Sequence, residues 1–134
     1  MKAVMVDTCV LLDVITEDAT WFTWSEAMVR RAAEEGTLVI NPVIYAELSV
    51  GFARIEDMED LLTPDLFDYR PIPREAAFLA GKSFLEYRRR GGVRAFPLPD
   101  FFIGAHASVE DLPLVTRDAG RFKTYFPRLT LICP

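Results

Sequence analysis

The feature that most constrains this chain is a set of short apolar runs, most of them stopped by a polar residue that suits the start of a helix. Residues 3–6 are apolar throughout and end at Asp7, after which Thr8, Cys9, Val10, Leu11 and Leu12 begin a helical pattern. Residues 37–40 repeat the arrangement and end at Asn41-Pro42, a capping residue followed by proline at the first helical position. Residues 112–116 form another run, ending beside an acid at Thr116-Arg117-Asp118, and residues 129–133 form a last one. Runs that are apolar on both faces suit strands covered on both sides, as in a parallel sheet. Their alternation with helical segments predicts an α/β chain with a parallel central sheet and helices on both faces.

The intervening segments fit that frame. Residues 24–35 have a helical pattern stopped by Gly36, and residues 55–62 form a short acidic helix closed by Thr63-Pro64. Residues 67–72 read as an edge strand, because Pro71 and Pro73 forbid a central one. Residues 74–90 make a long amphipathic helix ending in Arg88-Arg89-Arg90-Gly91-Gly92. Those arginines make ordinary sense at a helix C-terminus, with a phosphate-binding patch as the alternative. The stretch Leu98-Pro99-Asp100-Phe101-Phe102-Ile103-Gly104-Ala105-His106-Ala107 reads as a buried helix capped by Asp100, with Pro99 ending what precedes it. Its small residues leave room for another element to approach closely.

Composition sets the outer limits. A chain of 134 residues that is 51% hydrophobic is expected to form one domain over residues 1–134 with an adequate core. No apolar run approaches the length of a membrane span, the start is too short for a signal peptide, and Cys9 and Cys133 sit in apolar contexts. A cytoplasmic protein with reduced thiols is the expectation. A net charge of −5 argues against broad non-specific nucleic-acid binding while leaving room for a local basic groove.

Four acids share an unusual placement. Asp7 and Asp118 each follow a buried strand, and in open α/β sheets ligands bind at the carboxyl ends of strands. Asp100 opens a buried helix. Glu47 shares one helical face with Val43, Ile44, Leu48 and Gly51, which puts a carboxylate on an apolar stripe. Each has an ordinary explanation, a helix cap or, for Glu47, a salt bridge to an arginine. Together they define a different chemistry. Carboxylates at close range raise one another's pKa values unless a cation neutralises them, and oxygen-only ligands favour Mg²⁺ or Mn²⁺ over Zn²⁺. Asp13, farther along the first helix, is placed on its rim. Arg94 lies in the loop before the Asp100 helix, and with Arg117, Arg121 and Lys123 it would rim the acid pocket and meet a substrate phosphate.

The chain resembles the PIN-domain ribonucleases, and among them the VapC toxins of toxin–antitoxin pairs. The resemblance rests on Val6-Asp7-Thr8, Tyr45-Ala46-Glu47-Leu48, the stretch from Leu98 to Ala107, and Thr116-Arg117-Asp118 with Phe122 beyond. Four motifs in the right order and spacing carry it, although each alone is weak. It implies a three-layer α/β/α sandwich, Mg²⁺ or Mn²⁺ dependence, and hydrolysis of RNA phosphodiester bonds. It also implies a homodimer and a VapB-like antitoxin whose peptide lies in the active groove. By the same resemblance Asp7, Glu47, Asp100 and Asp118 are the metal-site acids, Asp118 being the most variable position in the family. Thr8 and Thr116 match its hydroxyl positions. His106, the one histidine, is assigned to packing or hydrogen bonding rather than to base catalysis. Trp21, Phe22 and Trp24 are read either as core or as part of a dimer surface.

Other functions fit less well. An aspartyl-phosphate phosphatase wants a second aspartate two positions after the first, where Cys9 stands. A receiver domain expects an acidic pair after the first strand and a late lysine. A solitary PIN nuclease of RNA maturation, or a PIN-like module that binds RNA or protein without cutting, remains as the alternative.

Overall fold

The structure, a computed structural model, describes residues 2–95 and 97–134. In chain order its elements are β1 (Lys2–Val6), α1 (Thr8–Ile15), α2 (Phe22–Glu35), β2 (Gly36–Ile40), α3 (Pro42–Ser49), α4 (Ile55–Leu61), β3 (Phe67–Tyr69), α5 (Arg74–Arg89), α6 (Pro99–Val109), β4 (Leu114–Val115), α7 (Gly120–Tyr125) and β5 (Leu131–Ile132). The five strands form one sheet in the order β3-β2-β1-β4-β5. Every pairing is parallel. The parallel sheet predicted from the alternation and the α/β/α sandwich implied by the resemblance are therefore present, with β3 at one edge as the flanking prolines require.

The centre of the sheet is apolar on both faces. Val4, Met5 and Val6 of β1, Leu38, Val39 and Ile40 of β2, and Leu114 and Val115 of β4 are all buried. Parallel neighbours end on the same side, so β1 and β4, paired at Val6 and Val115, deliver Asp7 and Thr116 to one edge of the sheet. Register thus places the first candidate residues.

Two close approaches shape the layers. Gly36 joins α2 directly to β2 opposite Lys2, and a Cβ there would overlap the Lys2 carbonyl. Gly104 lets α7 and the residue after it sit on α6, since a Cβ at Gly104 would lie 2.5 Å from the Phe126 ring and 3.1 Å from that of Phe122. The small residues of the Asp100 helix serve the purpose read from the sequence.

That helix starts two positions earlier than expected. Leu98 is the N-cap residue, in an extended conformation and without a side-chain capping bond, and Pro99 is inside the first turn. Asp100 is therefore not the cap. Proline's fixed φ suits the first helical position, so Pro99 opens the helix instead of ending the segment before it. The carboxylate still lies in the first turn, near the positive end of the helix dipole.

Candidate metal centre

Asp7 occupies the N-cap of α1, immediately after β1. Its Oδ1 accepts the Thr8 amide at 2.8 Å, and its Oδ2 accepts the Thr116 hydroxyl at 2.8 Å and the Cys9 thiol at 3.4 Å. All these donors are neutral, and among the described residues no lysine, arginine or histidine forms a salt bridge with it. The side chain belongs to a residue only 5% exposed. Burial is the main reason its pKa rises to about 6, and the charge of Asp100 adds to the rise, while the bonds from Thr116, Cys9 and Thr8 oppose it. A buried, perturbed carboxylate of this kind marks a candidate functional site.

The neighbouring hydroxyls orient the acids. Thr116 donates to Asp7 and accepts the Asp118 amide at 3.1 Å, which ties the start of the loop after β4 to the end of β1. Thr8 donates to Glu47 Oε1 at 2.6 Å, across α1 and α3. Glu47 is half-buried on the face that also carries the buried Ile44 and Leu48, whereas Gly51 at the end of that stripe is exposed. Its partner is a hydroxyl, and among the described residues no arginine pairs with it.

Asp100 projects from the first turn of α6 towards α7, where Arg121 Nη1 lies 3.4 Å from its Oδ2. Burial raises its pKa, the Arg121 charge lowers it, and the charge of the exposed Asp118 raises it, with a net upward result. Asp7 thus feels Asp100, and Asp100 feels Asp118. Among the described residues no three His, Cys, Asp or Glu side chains close tightly enough to enclose an ion. The acids form a loosely linked set: Asp7 lies within the field of Asp100, Asp100 within that of Asp118, and Glu47 is tied to Thr8 beside Asp7. Such donors fit Mg²⁺ or Mn²⁺, which keep several waters and need only a few carboxylates. Asp7, Glu47, Asp100 and Asp118 are the residues that would hold it.

Two side chains behave differently from the sequence expectation. Asp13 is not on a rim but buried, at 2% exposure, and accepts Ser25 Oγ at 2.7 Å. Arg117, expected at the substrate, grips both oxygens of Asp13 at 2.7 and 3.1 Å and stacks over Trp21 at 5.5 Å. A buried carboxylate needs a counter-charge, and the nearest guanidinium supplies it. Arg117 is thereby committed to the fold. Of the aromatic trio, Trp21 meets Trp24 edge-to-face, Trp24 packs against the core, and Trp21 and Phe22 are half-buried. Arg121 remains half-exposed beside Asp100, over the rings of Tyr87 and Phe101, and Arg94 and Lys123 are exposed.

Cys9 is the partner that sequence reasoning missed. It was expected only to be a reduced thiol, and both cysteines are indeed unpaired. Burial, then the Asp7 charge, pushes its pKa up to about 11, so the thiol stays protonated and serves as a donor. Its position two residues after Asp7, in the first turn of α1, is the signal that points to it.

The parallel sheet and its edge of strand-end acids define a nuclease-like α/β domain. The chain belongs to the PIN-domain family, whose model matches residues 4–126, and PIN domains are nucleases, generally hydrolytic. No curated protein matches the sequence significantly. Among solved structures, VapBC-1 from nontypeable Haemophilus influenzae superposes with a TM-score of 0.73 at 18% identity, covering 98% of this chain and 97% of that one. VapBC2 from Rickettsia felis, bound to a DNA fragment from its promoter, gives 0.72 at 21% identity and covers 98% of each chain. DNA-bound VapBC from Salmonella typhimurium gives 0.72 at 19% identity over 99% of this chain and 98% of that one. At such identities the likeness is one of fold.

Proposed function

We propose that the protein is a Mg²⁺- or Mn²⁺-dependent endoribonuclease and the toxin of a VapBC-type toxin–antitoxin pair. The observation that carries this reading is Asp7, a buried carboxylate at a strand end, within the field of Asp100 and paired with no cation among the described residues. The fold shared with chains of VapBC complexes supports the toxin assignment. Asp7, Glu47, Asp100 and Asp118 hold the metal, and Thr116 and Thr8 fix the rotamers of Asp7 and Glu47. When bound, the ion supplies an activated water and offsets the charge that develops on the scissile phosphate. Arg121 and Arg94 meet the RNA backbone. Arg117 acts only through Asp13.

A direct test is RNA cleavage by purified protein. Activity with Mg²⁺ or Mn²⁺, its loss in EDTA, and its loss in Asp7→Asn are the expected results. Undiminished cleavage in EDTA, or dependence on Zn²⁺ alone, would remove the proposal. The partners are a VapB-like antitoxin and a second copy of the chain. Sedimentation at micromolar concentration is expected to give a dimer, and co-expression with a VapB-like antitoxin a complex that no longer cleaves RNA.

A further inference from the structure

A fully buried polar contact lies outside the set of acids. Asn41 and His106 are both 0% exposed, and the Asn41 Nδ2 lies 3.1 Å from the His106 Nδ1. Asn41 Oδ1 already accepts the Ile44 amide at 2.9 Å, capping α3. The end of the amide that faces the ring is therefore its NH₂, which only donates. Nδ1 must accept, so the ring proton sits on Nε2 and is donated to Glu110 Oε2 at 2.7 Å. Glu110 Oε1 in turn accepts Arg70 Nη1 at 2.8 Å, and Arg70 Nε reaches Asp68 on β3 at 2.7 Å. Donation runs from Asn41 through His106 to Glu110, where it meets the bond donated by Arg70 from the other side.

Its placement matters more than its strength. Asn41 begins the helix that carries Glu47, and His106 lies on the helix that carries Asp100. We propose that the Asn41–His106 bond is a positioning strut that sets the spacing of Glu47 and Asp100, an inference that rests on the metal-centre reading above. Apolar packing alone lets helices slide by fractions of an ångström, whereas a buried directional bond fixes one register. Neither residue touches the substrate or the metal. The strut acts by holding α3 against α6, while Glu110, Arg70 and Asp68 hold the ring's tautomer from the other side.

Asn41→Ser separates the two roles of Asn41. Serine caps a helix about as well as asparagine but is too short to reach the ring. The variant should fold with α3 intact, and well below its melting temperature it should bind Mn²⁺ roughly tenfold more weakly, as is typical when a supporting bond to a metal site is lost. Its kcat should fall by a similar factor while KM for RNA stays close to that of the wild type. Nitrogen NMR of the wild-type imidazole should find the proton on Nε2 and none on Nδ1, which needs no variant at all. A proton on Nδ1, or Asn41→Ser protein with wild-type Mn²⁺ affinity, overturns the strut and leaves the metal centre standing. Wild-type protein that binds no Mn²⁺ overturns the metal centre and the strut with it.

Discussion

Asp7 shows how one side chain can weaken the fold for the sake of a site. Its pKa in the folded protein is about 6, above the ordinary 3.8, with burial as the main cause. The folded state therefore binds this proton more tightly than the unfolded chain does. The destabilisation is fully present above pH 6 and fades as the pH falls towards 3.8. A shift of this size corresponds to about 3 kcal/mol. Metal-free Asp7→Asn protein should thus melt above the wild type at pH 7, and the gap should narrow on acidification. Thermal melts in chelator across that range check it, and a gap independent of pH would count against the assignment. Asp13 has the opposite character, being buried but matched by Arg117. Arg117→Ala should cost about 3 kcal/mol or more, because it strands the Asp13 carboxylate on Ser25 alone. Arg117→Lys should recover only part of that, since the fork that grips both oxygens is lost; denaturant unfolding of the two variants measures the difference. The sequence offered no sign of this pair. Asp13 falls on a helix whose pattern shows which face is apolar, and pattern says nothing about a partner far along the chain.

At the scale of elements, the sequence was more explicit. Short apolar runs and helix-start residues located β1, β2, α1 and α3 closely, because strands buried on both faces and an Asn-Pro start each have few alternatives. The short strands β4 and β5 are harder, since two residues each of ladder leave little periodicity to read. The Asp100 helix starts two positions earlier than expected because both Pro99 as first helical residue and Asp100 as cap are good starting residues, and local preference does not rank them. The displacement sharpens a test. As Asp100 makes no capping bond, Asp100→Asn can lose only its favourable place near the helix dipole, about 0.3–1 kcal/mol, and its contact with Arg121. Catalysis should nevertheless collapse in an RNA cleavage assay if the residue holds metal. Gly104→Val tests the packing behind it. Its side chain would drive into the Phe126 and Phe122 rings, so about 2–3 kcal/mol of stability should be lost in denaturant unfolding as α7 is pushed from α6.

For the whole molecule, the question is how a chain of net charge −5 gathers still more negative charge at one edge of its sheet. The acids reach that edge by separate routes: Asp7 by strand β1, Glu47 by helix α3, Asp100 by helix α6 and Asp118 by the loop after β4. No one segment carries the site, so its members were visible singly in the sequence while their mutual distances were not. The Asn41–His106 contact was invisible for the same reason. If these acids hold a metal as proposed, the molecule's stability depends on the ion. A cation that binds only the folded state stabilises it by mass action, by about 2.7 kcal/mol at a hundred times its dissociation constant. For a domain of this length, that corresponds to a rise in Tm on the order of 5–10 °C. Wild-type protein should show such a rise on adding Mn²⁺, with Ca²⁺ or monovalent salt at matched ionic strength doing less. Asp7→Asn should start higher and rise less, because the repulsion that the ion relieves has already been reduced. The two curves should therefore converge, or cross, as Mn²⁺ is added. Parallel curves for the two proteins would mean that the ion binds elsewhere, and that the buried carboxylate at the end of β1 is only the cap of α1.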